Sequence, residues 1–219
     1  MDVKGYPGNI EEIAGRPFEF CYTRGKERRH SNVKKIPTIY LRDEKGNLTG
    51  ERNPACESAF DGTVFATRKY DGTCVRIKDG VLWKRREVKK GKPDPQAFVL
   101  SEEDPNTGKR FGWVMCDRDD PGDAYHWEAF DQHGGWEDGT YELVGPKVQG
   151  NPEAFQKHDL VFHGRSMLGK ISPSREKLAT YFKEHPYEGI VWWACENGKE
   201  WPVAKIKAKD LGIERTPLA

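Results

Sequence analysis

Seven residues in the first third of the chain read Thr67-Arg68-Lys69-Tyr70-Asp71-Gly72-Thr73. Apolar runs precede and follow them, which predicts a strand, a loop and a second strand. A lysine amine has an ordinary pKa of about 10.4, so it becomes a nucleophile only where burial or nearby cations lower that pKa. Asp71 can orient the amine or approach a metal, and Gly72 lets the backbone approach a phosphate. By itself the Lys-x-Asp-Gly pattern is also met by a solvated lysine before an Asp-Gly turn.

Composition indicates a folded globular protein. The 219 residues are 36% hydrophobic, 32% charged and 11% aromatic, a content that argues against disorder. No apolar run approaches the roughly 18 residues of a membrane span, and the first twenty residues carry no secretory signal. The five cysteines are odd in number and widely spread, which predicts neither a disulfide framework nor a zinc site. We expect a reduced, cytoplasmic protein with no membrane partner; the oligomeric state stays open.

The net charge of +1 does not suggest a protein that coats nucleic acid by bulk charge. A nucleic-acid surface would have to come from a local cluster of basic residues. Two such clusters are present, at residues 24–35 and 84–92. Each is equally compatible with an ordinary solvated face.

Hydrophobic patterning predicts many short strands and few helices. Strands are predicted at 36–41, 74–77, 81–84, 112–116, 140–144, 160–162, 189–193 and 203–207. Ser172 as N-cap and Pro173 as first helical residue predict one helix, which Pro186 ends. Residues 48–62 are predicted to be irregular and 89–110 to be a surface excursion. These elements indicate an α+β fold with antiparallel or mixed β-sheets, as one domain over 1–219 whose core spans 63–211.

Two carboxylates and two further lysines stand at or beside apolar strands. Glu142 and Glu188 could each bind a ribose hydroxyl or a metal ion, or simply face water. Lys205 and Lys207 lie two apart on one strand, so both point to one face. They could grip a phosphate, or form the polar side of an amphipathic strand.

Taken in order, these motifs resemble those of covalent nucleotidyltransferases. The matching stretches are Lys69-Tyr70-Asp71-Gly72, Glu142, Phe162, Glu188-Gly189-Ile190-Val191 and Lys205-Ile206-Lys207. That superfamily contains ATP-dependent DNA and RNA ligases and mRNA capping enzymes. The intervals resemble RNA ligases most, and residues 141–152, 162–164 and 188–192 resemble the family that includes a vertebrate 5′–3′ RNA ligase. The resemblance covers residues 63–211 and implies a ligase adenylation-domain fold.

The resemblance implies a role for each residue around the first motif. Lys69 corresponds to the nucleophile that attacks the α-phosphate of ATP and becomes a lysine–AMP phosphoramidate. Arg68 corresponds to a position that contacts the purine edge. Asp71 and Gly72 are expected to help bind the nucleotide.

The later motifs are expected to complete the nucleotide site. Arg85, with Arg86 as the second candidate, corresponds to the arginine that contacts ribose or phosphate. Glu142 corresponds to the carboxylate that binds the ribose hydroxyl. Phe162 is expected to stack on the base, with Val191 on its other side.

The last motifs are expected to supply the metal ligand and the phosphate grip. Glu188 corresponds to the glutamate that binds Mg²⁺ or Mn²⁺. Lys205 and Lys207 correspond to the pair that holds the α-phosphate, and their charge is expected to lower the pKa of Lys69.

The expected partner is RNA with a 5′-phosphate and a 3′-OH. Only about a dozen residues follow Lys207, too few for the C-terminal oligonucleotide-binding (OB) barrel of DNA ligases and capping enzymes. RNA would then be held by the nucleotidyltransferase domain, with Lys84, Arg86, Lys89 and Lys90 as candidate contacts.

Two other functions stay open at this point. One is a GTP-dependent transferase of the capping type, which the absent barrel disfavours. The other is a nucleotide- or RNA-binding module without turnover, which would not need Lys69. His126 could act in catalysis or simply pack, and His163 has no assigned role.

Overall fold

The computed structural model describes residues 35–216. Predictions for the residues before 35, including nearly all of the first basic cluster, lie outside the described residues. Lys35 is described, and its ammonium lies 3.1 Å from a carboxylate oxygen of Asp104.

The described residues form twelve strands and two α-helices. The strands are β1 Tyr40–Arg42, β2 Leu48–Arg52, β3 Phe65–Lys69, β4 Thr73–Lys78, β5 Val81–Val88, β6 Val99–Glu103, β7 Arg110–Met115, β8 Gly139–Val144, β9 Asp159–Phe162, β10 Met167–Gly169, β11 Gly189–Glu196 and β12 Lys199–Lys207. The helices are α1 Ala124–Asp131 and α2 Arg175–Glu184. Short 3₁₀ helices cover Pro54–Ala59, Pro121–Asp123 and Ala208–Leu211.

The strands make two main sheets. The first sheet has the order β10-β3-β11-β12, and the second has the order β6-β7-β5-β4-β8-β9. Strands β1 and β2 form a separate pair. Every strand ladder in the described part is antiparallel, and the isolated bridge from Thr38 to Lys205 is parallel. The predicted α+β class with mostly antiparallel sheets and few helices is confirmed.

Alternation along the strands gives the first sheet one apolar face and one face that carries both apolar and charged residues. The apolar face packs with Leu178 and Phe182 of α2 in a buried cluster that also holds Ala66, Ile190, Trp192, Ala204 and Ile206. Residues one step along each strand point the other way. The opposite face of the first sheet therefore carries Lys69, Val191, Lys205 and Lys207.

The second sheet follows the same rule. Its apolar face packs against α1 through Ala129, with Val75, Ile77, Leu82, Tyr141 and Leu143 in the cluster. The register pairs Cys74 with Glu142, Arg76 with both Thr140 and Trp83, and Arg85 with Trp113. Because residues directly opposite each other share a face, these seven lie together on the other side. We call this side the Glu142 face.

Several predicted elements need correction. Residues 48–62 hold β2 and a 3₁₀ helix, and the predicted excursion at 89–110 holds β6. Strand β5 extends to Val88, so Arg85 and Arg86 lie inside it and point to opposite faces. The helix α1 was not predicted in the acidic stretch, because only Ala129 of its eight residues is buried and the helical pattern is weak.

The predicted start of the second helix was wrong. The helix begins at Arg175, with Ser174 rather than Ser172 as its N-cap. The hydroxyl of Tyr40 donates a hydrogen bond of 2.7 Å to the carbonyl of Pro173. This contact holds Pro173 in the segment before the helix. No helix in residues 35–216 is long and apolar enough to span a membrane.

Candidate active site

The centre of the candidate site is one carboxylate shared by two lysines. Gly189 pairs with Lys69 on one side and with Lys207 on the other, so Glu188 stands at the end of three neighbouring strands. The Nζ of Lys69 lies 2.5 Å from Oε2 of Glu188, and the Nζ of Lys207 lies 2.5 Å from Oε1. Each oxygen of the carboxylate thus holds one ammonium.

The charges around Lys69 decide its protonation. Burial lowers the pKa of Lys69, but attraction by Glu188 and Glu142 outweighs burial, and the net pKa is raised. The predicted lowering by the neighbouring lysines is therefore wrong for this arrangement, because Glu188 lies between the cations. Burial opposes ionisation of Glu188, yet Lys69 and Lys207 hold its pKa below the ordinary value.

Lys205 is in a different electrostatic state. Burial, followed by repulsion from Lys69 and Lys207, lowers the pKa of Lys205 to about 8. Its neighbour across the ladder is Val191, which is 6% exposed. No carboxylate within residues 35–216 forms an ion pair with Lys205, so its charge is available to an anion.

The second sheet brings Glu142 to the site. One carboxylate oxygen of Glu142 accepts a 3.1 Å hydrogen bond from the Gly72 amide, and the other lies 2.9 Å from Nε2 of His163. Nδ1 of His163 lies 3.0 Å from the Thr140 hydroxyl. Sequence reasoning gave His163 no role, and it fixes the orientation of Glu142.

Gly72 is required by a close approach between strands. A Cβ on Gly72 would lie 2.1 Å from the carbonyl oxygen of Leu143 and 2.9 Å from Cγ of Glu142. Any other residue would push β8 away from the loop after Lys69. The glycine therefore sets the distance between Glu142 and the lysine strand.

Glu153 is a buried residue of the site that the sequence did not reveal. Its side chain is 1% exposed, and it forms ion pairs with Arg68 and, at 2.9 Å, with Arg215. It also accepts a 2.8 Å hydrogen bond from the backbone amide of Asp71. Glu153 thus holds the residues on both sides of Lys69. It lies in a turn-rich loop, where a single glutamate gives no distinctive signal.

The predicted purine contact, Arg68, is already engaged by the protein. Its guanidinium carbon lies 4.4 Å from the ring centroid of Tyr70 and 4.2 Å from that of Tyr187. With Glu153 this gives Arg68 three partners beside the nucleophile. Arg215 extends the network, because its Nε donates 2.6 Å to the carbonyl of Pro186, two residues before Glu188.

The basic residues at 84–90 do not form one surface. Lys84 is 6% exposed, and its ammonium lies 2.7 and 2.6 Å from the two carboxylate oxygens of Asp123. The prediction that Lys84 contacts RNA therefore does not fit its position. Arg86 points to the same side as Lys84, opposite the Glu142 face. Lys89 and Lys90 are exposed beyond the end of β5.

The two remaining predicted nucleotide contacts, Arg85 and Phe162, lie on opposite faces of the second sheet. Arg85 lies on the Glu142 face, with its guanidinium carbon 4.7 Å from the ring centroid of Phe111. Phe162 pairs with Tyr141, so it lies on the other side of the sheet, with the two ring centroids 4.7 Å apart. The expected stacking of Phe162 on a base is not met here, because a register difference of one residue reverses the face.

Asp71 and Glu188 are the residues of the site that fit a divalent cation. Burial, followed by repulsion from Glu188, raises the pKa of Asp71. Two carboxylates that repel each other are a donor set that Mg²⁺ or Mn²⁺ would stabilise, because hard cations prefer oxygen ligands.

A second group of metal-ligand types lies on the far side of the second sheet. Ligand atoms of Cys116, Asp123 and His126 lie within 4.8 Å of one another. Both oxygens of Asp123 are already bonded to the ammonium of Lys84, which neutralises the carboxylate. Asp123 is also fully buried, and its Oδ2 accepts a further 2.9 Å hydrogen bond from the backbone amide of Asp117. Its oxygens are therefore occupied inside the protein, and we assign no metal to this cluster.

Comparison with known proteins leaves the family open. No protein-family model matches the chain, and no curated protein matches it. The functional assignment therefore depends on the residues of the site.

Proposed function

We propose that the protein is an ATP-dependent RNA ligase that acts through a lysine–AMP intermediate on Lys69. The observation that carries the proposal is the sharing of Glu188 by Lys69 and Lys207, with Lys205 near them and Glu142 across from them. A nucleophilic amine, cations for a phosphate and carboxylates for a metal are the parts that nucleotidyl transfer requires.

In the first step the amine of Lys69 attacks the α-phosphorus of ATP. A nitrogen–phosphorus bond forms, the bond to the bridging oxygen breaks, and pyrophosphate leaves. Lys69 must first give up the proton that Glu188 now stabilises, and Glu188 is the nearest base for it. Lys205 and Lys207 neutralise charge that develops on the phosphate.

The metal has a defined place in this scheme. Glu188 and Asp71 would hold Mg²⁺ or Mn²⁺, and the bound ion would neutralise phosphate charge during the reaction. With the ion bound, Glu188 would no longer serve Lys69 and Lys207 alone.

Other residues would orient the nucleotide. Glu142 would accept a hydrogen bond from a ribose hydroxyl, and His163 keeps the carboxylate turned toward the site. Val191 supplies an apolar wall beside Lys205. Arg85 stands on the same side as Glu142 and would contact ribose or phosphate.

In the later steps AMP passes to the 5′-phosphate of RNA and the 3′-OH displaces it. The lysine–phosphorus bond breaks as a pyrophosphate link forms between AMP and the RNA. The 3′-oxygen then attacks the RNA phosphorus, a phosphodiester forms and AMP leaves. Lys69 must therefore carry AMP for adenylylated RNA to form. The final joining of the 3′-OH to that RNA does not need the lysine–AMP bond.

Because only the earlier steps need the lysine–AMP bond, the proposal can be tested with RNA that is or is not already adenylylated. Lys69→Ala with ATP and 5′-phosphorylated RNA should give neither adenylylated nor joined RNA, whereas the same variant should still join RNA that is adenylylated beforehand. Lys183→Ala, an exposed lysine on α2, serves as the matched control and should join like wild type. Joining by Lys69→Ala from ATP at the wild-type rate would contradict the proposal.

A further inference from the structure

Two cationic side chains in the described part of the chain are buried, and they differ in whether a carboxylate neutralises them. They are Lys84 at 6% exposure and Arg76 at 9%. Lys84 is neutralised by Asp123 at 2.6 Å. Arg76 has no ion pair and no side-chain hydrogen bond to any residue in 35–216, and its Nε is buried without a partner. Burial also lowers its pKa.

The neighbours of Arg76 are two tryptophans. Its guanidinium carbon lies 4.7 Å from the ring centroid of Trp113 and 5.2 Å from that of Trp83. The indole N–H groups of both tryptophans are buried without a partner as well. Ring faces can stabilise a cation, but they accept none of its N–H groups in the way an oxygen does.

Nε of Arg76 and the indole N–H groups of Trp83 and Trp113 are thus three buried donors without an acceptor, which is unusual. Buried polar groups in proteins are nearly all hydrogen-bonded, and burying an unpaired charge is costly. Guanidinium and indole groups only donate. A ligand that pairs with these groups has to be an acceptor, and the positive charge favours an anion.

The position of Arg76 relates it to the candidate site. Arg76 pairs with Thr140 on β8, and Cys74, two residues earlier on β4, pairs with Glu142. Arg76 and Glu142 therefore lie on the same face, about 7 Å apart along the strand direction. The lysines that would hold the α-phosphate belong to the other sheet, so Arg76 is separate from that grip.

We propose that Arg76, with the indole groups of Trp83 and Trp113, forms a second anion subsite that takes a phosphate group. The fork of N–H groups on arginine matches phosphate oxygens. The subsite deepens the proposed function and rests on it, because the phosphate would come from the RNA or from the nucleotide. Its absence would leave the lysine chemistry unchanged.

The experiment uses three variants of the full chain. Arg76→Met removes the charge at similar length, Arg76→Lys keeps the charge, and Lys183→Met removes an exposed charge from α2, which packs on the other sheet. One arm measures the Kd of a fluorescent, 5′-phosphorylated single-stranded RNA by anisotropy over a range of salt. The other arm measures the KM for ATP in self-adenylylation. Thermal unfolding is followed for every variant.

The subsite predicts that Arg76→Met raises either the Kd for RNA or the KM for ATP about tenfold or more without lowering Tm, because the guanidinium has no internal hydrogen-bond acceptor to lose. If the phosphate belongs to RNA, the Kd rises and the slope of log K against log salt falls by about 0.7. If it belongs to the nucleotide, the KM rises. Arg76→Lys should recover part of the loss, and Lys183→Met should match wild type.

Unchanged Kd and KM in Arg76→Met would overturn the subsite. A lowered Tm beside those unchanged values would mean that Arg76 serves its tryptophans as a structural cation. Failure of the wild type to self-adenylylate would count against the ligase proposal instead. RNA binding is measured without turnover, so the two failures are distinguishable.

Discussion

At the scale of single residues, the site is governed by how charges are shared. Glu188 divides its two oxygens between Lys69 and Lys207, and Glu153 divides its own between Arg68 and Arg215. Lys205 has no such partner in the described part and carries the lowered pKa. The sequence predicted most of these residues, because their order and spacing resemble the motifs of covalent nucleotidyltransferases. It did not supply Glu153, since a glutamate in a loop has no pattern that predicts burial.

The lowered pKa of Lys205 predicts how stability depends on pH. With a pKa of about 8 in the folded protein against 10.5 ordinarily, Lys205 is charged in both states below pH 8, and its burial then costs stability. Between about pH 8 and 10.5 only the unfolded chain keeps the proton, so this cost disappears as pH rises. Lys205→Met should be more stable than wild type at pH 7 by up to about 3 kcal/mol.

Urea unfolding at a series of pH values measures this difference. The advantage of Lys205→Met should shrink as pH rises from 8 to 10.5, while Lys183→Met should differ from wild type by a constant amount. An advantage of the same size at pH 7 and pH 10.5 would show that the burial of Lys205 charge is not its cause.

We predict that removing the buried charge of Glu153 strongly lowers the stability of the protein. Glu153→Gln leaves the guanidinium group of Arg68 without a neutralising charge and leaves Arg215 with only the more distant carboxylate of Asp71, at 3.8 Å. This should cost about 3–5 kcal/mol of folding free energy. Self-adenylylation should slow as well, because both flanks of Lys69 lose their anchor. Chemical denaturation and a labelling time course measure the two effects.

The matched control is Asp131→Asn. Asp131 pairs with Arg118 at the surface, where both side chains are more than half exposed. Its removal should leave stability nearly unchanged, since exposed ion pairs contribute little. Equal effects of the two substitutions would contradict the role given to Glu153.

At the scale of elements, alternation predicted most strands, and the misses have physical causes. The strands that carry Lys69, Glu142, Val191 and Lys205 have clear apolar runs, so their existence was predictable. Strand β6 has exposed apolar residues, with Leu100 at 54%, and lies at a sheet edge, where the pattern is weak. The face of Phe162 depended on the pairing register with Tyr141, which one sequence does not contain.

The approach of β8 to the loop after Lys69 predicts the effect of enlarging Gly72. Gly72→Ala would set a Cβ 2.1 Å from the Leu143 carbonyl, so the strand must move. We expect a loss of about 1–3 kcal/mol in stability and a raised KM for ATP, because Glu142 moves with β8.

Gly134→Ala is the control for this substitution, since its added Cβ would meet nothing within 4 Å. Thermal unfolding and the ATP dependence of the self-adenylylation rate should show no loss for it. If Gly72→Ala folds and reacts like Gly134→Ala, the close approach does not hold Glu142 in place.

At the scale of the whole molecule, two sheets contribute different parts of one site. The first sheet presents the lysines and Glu188, and the second presents Glu142 and His163. Sequence order predicted the motifs and the α+β class, but not which basic residues would be buried. Lys84 looked like a surface cation, and the fold uses it to neutralise Asp123 in the interior.

The central claim is that Lys69 becomes covalently attached to AMP. The most direct measurement is incubation with Mg²⁺ and either α-labelled ATP or α-labelled GTP, after pyrophosphate treatment to remove any AMP already bound, followed by denaturing electrophoresis. We predict label from ATP on the 25.1 kDa chain and on Lys183→Ala, and none on Lys69→Ala. Label on Lys69→Ala at the wild-type level, or label from GTP alone, would contradict it.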